Sequence, residues 1–195
     1  MKRLLIGILG LAALACSRMH SDDRLPAGAG PLIAVYKAAI DDGRGPVRGA
    51  KLAVWAERPD RLHAELIAPV GGVTFIVDAG GGNACIVEVA AATAYVGDDG
   101  PGAIEALAGV RLSVADVVAA LLDGVAPPGL SVTRSGGAEG SLPQKLRIAD
   151  GARSLVLDRV RFERGRTDPR ALGTGVPPGN LTVLPMDRLA PEAVR

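Results

Sequence analysis

The sequence predicts a mainly β protein in which helices occur once, near the middle of the chain. Most of the 195 residues alternate between apolar and polar side chains with the period of a strand, and clusters rich in Gly, Pro, Asn and Asp separate these runs. Only residues 101–124 carry apolar side chains at a sustained helical spacing. About nine or ten strands in meander order with one helical insertion predict an antiparallel, strongly curved sheet around a helical cover.

Two short helices are predicted in this central stretch. The longer one begins after Ser113, because that side chain can cap the helix while Asp116 bonds back to the cap, and Gly124 suits the left-handed residue that follows. Pro101 begins the shorter helix, which turns Ile104 inward. The apolar stripe of the longer helix consists of Val114, Val117, Val118, Leu121 and Leu122. This stripe either covers the sheet as ordinary core or closes a cavity as a lid.

The composition limits the classes of partner. Hydrophobic residues make up 48% of the chain but aromatic residues only 3%, so the interior must be built from Val, Leu, Ile and Ala. Modules that stack nucleic-acid bases need exposed aromatic rings, and the formal net charge of +1 provides no general attraction for anions. We therefore expect no nucleic-acid partner, and we expect a monomer.

The N-terminus predicts export. Lys2 and Arg3 precede an apolar run at residues 4–15, which as a helix would rise about 18 Å and is too short for a roughly 30 Å hydrocarbon core. Residues 11–16 resemble a bacterial lipobox, which implies that residues 1–15 are a signal peptide and that Cys16 carries the acyl chains of a membrane anchor. The alternative is an ordinary cleavage site that happens to lie near a cysteine.

The remaining chain divides into a tether and one domain. Residues 16–31 are polar, contain Gly and Pro, and have no periodicity, which is typical of a tether, and the domain covers residues 32–195. Ser17 after the cysteine is similar to the pattern of lipoproteins sent to the periplasmic face of the outer membrane. Cys85 lies in an apolar run and is expected to be a small buried side chain without a disulfide.

Two strands carry specific expectations. In residues 61–67, Leu62, Ala64 and Leu66 share one face, and His63 lies on the other, wet face. In residues 154–163, Asp158 shares a face with apolar residues, which indicates either a bulge or a polar group at a rim.

No group of residues predicts an enzyme. His20 in the tether and His63 on the wet face have no Cys or carboxylate neighbours at metal-ligand spacing, so no metal site is predicted. The chain also contains no Gly-x-Ser-x-Gly elbow and no phosphate-binding loop with a Lys. We predict no catalytic residues and no cofactor.

Two stretches of the chain carry a recognisable combination of motifs. Residues 55–71 contain Trp55, a turn with Asp60 and Arg61, an alternating strand and then Pro-Val-Gly, and residues 109–124 are a predicted helical stretch bounded by Gly. In this order the motifs resemble the LolA/LolB-like family of outer-membrane lipoprotein receptors, in which the receptor has Pro-Leu-Gly in place of Pro-Val-Gly and a similar Gly-bounded helix. The resemblance implies an unclosed antiparallel half-barrel with a short helical lid over an apolar cavity for acyl chains. Two departures are the missing helix before the first strand and Val70, which is smaller than the receptor's Leu.

The inward-facing aliphatic side chains could form either a solid core or an acyl-chain cavity, and the resemblance favours the cavity. It also implies that Val70 is a membrane-contact loop tip, although an ordinary hairpin apex fits as well. Arg58 precedes a Pro as in the carrier branch of the family, which implies a contact with the lid. The candidate cavity residues are Leu52, Val54, Leu62, Leu66, Val117, Leu121, Leu146 and Ile148.

Two functions from different classes follow. The first is reception of the acyl chains of lipoproteins, or of other lipids, from a soluble periplasmic LolA-like carrier and their delivery to the outer membrane. The second is a structural or assembly lipoprotein that uses a solid version of the same fold to bind proteins. In both, the N-terminal lipid anchor makes the membrane a partner.

Overall fold

The computed structural model describes residues 32–41, 46–136, 143–151, 153–164 and 179–189. The predicted signal peptide, Cys16 and the tether lie outside the described residues. The strands are β1 Leu32–Asp41, β2 Pro46–Glu57, β3 Arg61–Ile67, β4 Val73–Gly80, β5 Asn83–Glu88, β6 Thr93–Asp98, β7 Ser131–Ser135, β8 Lys145–Asp150, β9 Arg153–Arg164 and β10 Thr182–Pro185. The α-helices are α1 Pro101–Ala108 and α2 Val114–Leu122, and a 3-10 turn covers Met186–Arg188.

All ten strands form one sheet in the order β10-β6-β5-β4-β3-β2-β1-β9-β8-β7. The two edge strands, β10 and β7, do not pair with each other, so the sheet is unclosed. Both α-helices of the described residues lie between β6 and β7. The mainly β class, the unclosed sheet and the single helical insertion are therefore confirmed. The predicted meander order holds only within β1 to β6 and within β7 to β9, because β9 pairs with β1 and β10 pairs with β6.

The sheet is not antiparallel throughout. β10 pairs with β6 in parallel, with Thr182 opposite Thr93. β9, the strand that precedes β10 along the chain, lies on the other side of β1 in the sheet. The sequence pattern indicated a final strand but could not indicate its direction, because its partner β6 is distant in the sequence.

One face of the sheet, called here the inner face, packs against the two helices and holds the core. Along β3 and β4 the inward side chains are Leu62, Ala64, Phe75 and Val77, all of them buried. The five residues of the α2 stripe are also buried, so that stripe is the helix face that meets the sheet. The opposite, outer face carries the other half of each alternation.

The ends of both helices form as their sequences predict. The Ser113 hydroxyl accepts a hydrogen bond from the Asp116 N–H at 3.1 Å, and the Asp116 carboxylate accepts one from the Ser113 N–H at 3.0 Å, so the capping box is complete. Pro101 is the first residue of α1, and Gly109 ends it in the left-handed conformation with φ 68°. Neither helix of the described residues has the length and apolarity needed to cross a membrane.

A bulge interrupts the pairing of β1 with β9. Val35 pairs with Arg161 while Tyr36 pairs with Arg159, so Val160 has no partner residue on β1. Asp158 lies on the outer face, where its carboxylate is 3.7 Å from the Lys145 ammonium group. The predicted bulge is therefore present.

Candidate functional site

A partly open apolar cavity of about 100 Å³ lies between the helices and the inner face. Every lining residue is apolar, and the lining comes from β1 to β4, β9, α1 and α2. A site of this kind offers no group that could bind a charge or activate a nucleophile, but it suits a hydrocarbon chain. The lining residues are Ala38, Ile40, Leu52, Val54, Leu62, Ala64, Leu66, Phe75, Val77, Ile104, Leu107, Ala108, Val117, Leu121, Leu155 and Leu157.

The structure brings together six of the predicted cavity residues, namely Leu52, Val54, Leu62, Leu66, Val117 and Leu121. Leu146 and Ile148 are not among the lining residues, and this part of the prediction is wrong. Both side chains point to the inner face and are fully buried in the core. They lie on β8, which is separated from β1 by β9, whereas α2 lies over β2 and β3. Alternation identifies the face of a strand but not which part of that face the helices cover.

Sequence reasoning missed the small residues that leave the cavity space. Ala38, Ala64 and Ala108 line it from β1, β3 and α1. The available signal was an Ala at an inward position flanked by larger inward residues, as Ala64 is flanked by Leu62 and Leu66. A side chain one to three carbons longer at any of these positions would occupy part of the void.

Arg58 contacts the end of α2. Its guanidinium group donates hydrogen bonds to the Asp123 carboxylate, with Nε 3.0 Å from Oδ1, and Nη2 lies 3.5 Å from the Leu122 carbonyl oxygen. Both charged side chains are more than a third exposed, so solvent weakens the pair. The Arg58 side chain thus links the β2–β3 turn to the helix that covers the cavity. Its partner Asp123 is a residue that the sequence did not single out.

The loop between β3 and β4 presents Val70 to solvent. Val70 is 97% exposed, more than any other large hydrophobic residue of the described chain. The loop is closed by a hydrogen bond from the Ala68 N–H to the Gly72 carbonyl at 3.0 Å. Gly71 and Gly72 have φ values of 90° and 88°, which favour glycine, so the tip keeps its shape because both positions lack a side chain.

The outer face carries a polar cluster around His63. The imidazole Nδ1 lies 2.5 Å from the Asp78 carboxylate and Nε2 lies 3.5 Å from the Glu65 carboxylate. The Trp55 ring stands edge-on to the imidazole at 5.0 Å between centroids. His63 is only 8% exposed, so the expectation of a solvent-facing histidine is wrong. The cross-strand neighbours on β2 and β4 cover it, and a single strand's pattern does not reveal them.

The pKa values of two side chains in this part of the outer face, His63 and Cys85, are raised. Burial alone would lower the pKa of His63, but hydrogen bonds and the negative charges of Asp78 and Glu65 raise it above its usual 6.5. Cys85 is the register partner of Asp78, and burial together with that carboxylate raises the pKa of its thiol to about 11. Cys85 is buried, as expected, and it forms no disulfide within the described residues. Within the described residues no three His, Cys, Asp or Glu side chains are placed to hold a metal ion.

Comparison with protein-family models finds no match for this chain, and comparison with curated proteins finds none either. The interpretation of the cavity therefore rests on its geometry and chemistry.

Proposed function

We propose that this chain is a lipid-anchored outer-membrane lipoprotein of LolA/LolB-like fold. Its cavity receives the acyl chains of lipoproteins, which a soluble periplasmic carrier delivers, and passes them to the outer membrane. The observation that carries this proposal is the wholly apolar cavity beneath the two helices, at the place where the helical stripe meets the sheet. An acyl chain has no hydrogen-bonding groups, so a dry aliphatic lining is sufficient to bind it.

The energetic cost of the void supports a ligand. Unfilled space enclosed in a core lowers stability by about 24 cal/mol per Å³, so the enclosed part of this void destabilises the fold. Replacing one lining Ala by a larger aliphatic residue would remove part of this cost. A void that a single substitution could partly fill favours a binding role over a purely structural one.

The volume also implies movement of the helices. A cavity of about 150 Å³ holds one benzene molecule, so about 100 Å³ holds only part of an acyl chain. Entry of a whole chain therefore requires α1 and α2 to move away from the sheet. Two polar contacts would oppose this movement: the Arg58–Asp123 pair, and the hydrogen bond from the Arg153 guanidinium group to the Gly109 carbonyl at 3.3 Å.

The exposed loop gives the proposed route into the membrane. Val70 stands clear of the domain on a tip that contains no charged residue from Ala68 to Gly72. An apolar tip can enter the interfacial region of a bilayer while the Cys16 anchor holds the domain beside it. In this proposal the tip brings the cavity to the bilayer at the moment of transfer.

The test is binding of a fluorescent fatty acid to the full chain carrying Cys16→Ser, which cannot be acylated. We expect saturable binding of dansylundecanoic acid that dodecanoate displaces. Ala64→Leu fills part of the cavity and should weaken this binding about tenfold, whereas the matched control Ala90→Leu lies on an exposed turn and should leave it unchanged. Equal binding by both variants would exclude the cavity as the site.

The small volume favours a second candidate function. Most of the inner face is filled by fully buried side chains, as in a solid scaffold. A structural lipoprotein that binds other proteins would need no larger void. Absence of fatty-acid binding by a folded chain, together with unchanged lipoprotein localisation when Val70→Glu replaces the native residue in cells, would favour this second function.

A further inference from the structure

Tyr36 carries a buried hydroxyl group without a hydrogen-bond partner, and it is the one such side-chain atom in the part of the chain that the structure describes. The residue has no exposed surface. A buried donor that makes no hydrogen bond destabilises a protein, and Phe at this position would fill nearly the same space without that loss. The hydroxyl therefore has no structural role among the described residues that explains it.

Tyr36 lies beside two residues that line the cavity, although it does not line the cavity itself. Its register partner on β2 is Leu52, and Ala38 follows two residues later on the same face of β1; both residues line the cavity. Tyr36 itself belongs to the core that continues from this wall. An acyl chain that lies in the cavity against Leu52 and Ala38 would therefore place its head group beside Tyr36.

The surroundings of this hydroxyl are positively charged. Arg159 pairs with Tyr36 from β9, and the side chain of Arg134 lies against Gly124 just beyond α2. Burial raises the pKa of Tyr36 to about 12 although both arginines act to lower it, so the hydroxyl keeps its proton at neutral pH and can donate it. Both arginines take part in interactions of their own, whereas the Tyr36 hydroxyl makes no hydrogen bond within the described residues.

We propose that the Tyr36 hydroxyl donates a hydrogen bond to an acceptor oxygen of the ligand, so that the cavity selects an acyl group, chain plus carboxylate or ester carbonyl, over a hydrocarbon with a cationic head. This inference rests on the proposed function, because it names a recognition group for the same cavity. The shared chemistry is an acyl oxygen; a free fatty acid supplies it as a carboxylate and an acylated lipid as an ester. The nearby arginines favour the anionic form and disfavour a cation.

Three ligands with an eight-carbon chain test the proposal. Each is titrated calorimetrically into the full polypeptide carrying Cys16→Ser. Octanoate offers a carboxylate, methyl octanoate offers an ester carbonyl, and octylammonium offers a cation. We expect octanoate or methyl octanoate to bind at least tenfold more tightly than octylammonium. Tyr36→Phe should weaken binding of the preferred acyl ligand about tenfold and leave octylammonium unchanged. Whichever acyl ligand loses more affinity identifies the source of the oxygen.

A spectroscopic reading separates a direct bond from an indirect effect. The carbonyl stretch of ¹³C-labelled methyl octanoate should lie at lower frequency when bound to the native chain than to Tyr36→Phe, because a hydrogen bond weakens the C=O bond. Thermal unfolding should show that Tyr36→Phe is at least as stable as the native chain without ligand, since the variant removes an unpaired buried group.

The outcomes distinguish the two proposals. If the native chain binds none of the three ligands, the cavity is not a binding site and both proposals fail. If it binds acyl ligands but Tyr36→Phe keeps their affinity and their carbonyl frequency, the cavity binds chains and the role of Tyr36 is refuted. Equal affinity for octanoate, methyl octanoate and octylammonium would also refute it.

Discussion

The two faces of the sheet are stabilised by different interactions, although their residues alternate along the same strands. On β3, Leu62 and Ala64 face a cavity without polar lining, while His63 between them joins two carboxylates on the outer face. The inner face stabilises the fold by removing hydrocarbon from water, and it leaves a void. The outer face is held by directional bonds that depend on protonation. Packing can therefore change at the void on the inner face while the bonds of the outer face keep the strands in register.

The largest effect should follow from a change on the inner face. Leu121→Ala removes a buried side chain next to an existing void, so the free energy of unfolding should fall by about 3 kcal/mol. Urea denaturation of the native chain and the variant measures this. Val89→Ala, on an exposed turn, is the control and should change stability by less than about 0.5 kcal/mol. A loss below about 1 kcal/mol for Leu121→Ala would mean that the helix does not depend on this contact.

A smaller, pH-dependent effect is expected on the outer face. Because the pKa of His63 is raised in the folded state, the stabilisation from protonated His63 is fully present below its usual 6.5 and is lost as pH rises through the folded value. The stability difference between the native chain and His63→Gln should therefore be about 1 kcal/mol greater at pH 6 than at pH 9. Denaturation curves at both pH values measure it. Asp78→Asn should reduce the pH dependence, and a difference that grows toward pH 9 would contradict the assignment.

The contact between Arg58 and the end of α2 should contribute less to the free energy of unfolding. Arg58→Ala removes a partly exposed ion pair from the end of α2, so the cost should be about 0.5 kcal/mol. If this pair restrains the helices, the variant should also bind dansylundecanoic acid faster, which stopped-flow fluorescence can measure. Arg61→Ala removes a comparable ion pair with Glu57 that does not involve α2, and its binding rate should match that of the native chain.

The smallest effect on stability is expected at the loop tip. Val70→Glu changes an almost fully exposed side chain, so unfolding should shift by less than about 0.5 kcal/mol. Binding of the chain carrying Cys16→Ser to anionic vesicles should nevertheless weaken, because a carboxylate disfavours contact with the bilayer. Cosedimentation with vesicles measures this, and Val89→Glu serves as the matched substitution elsewhere. Equal loss in both variants would assign the effect to net charge rather than to the tip.

Local sequence patterns predicted the helices and strands. The features that they did not predict depend on pairing between strands that are distant in the sequence. The capping box at Ser113, the glycine end of α1 and the bulge near Val160 all follow from short stretches of sequence. The burial of His63 depends on Trp55 and Asp78, which reach it only through cross-strand register. Likewise the position of Leu146 and Ile148 outside the cavity depends on the distance of β8 from α2. No periodicity in one strand contains that information.

The central position of β1 has a consequence for how the molecule is made. β1 pairs on one side with β2, which follows it directly, and on the other with β9, which is near the end of the chain. Until β9 has been synthesised, one edge of β1 exposes unpaired backbone groups and the two halves of the sheet cannot join. Such non-local pairing slows folding and leaves partly folded chains open to aggregation. We expect joining of β1 to β9 to be the slow step, so a chain truncated before β9 should remain dependent on chaperones.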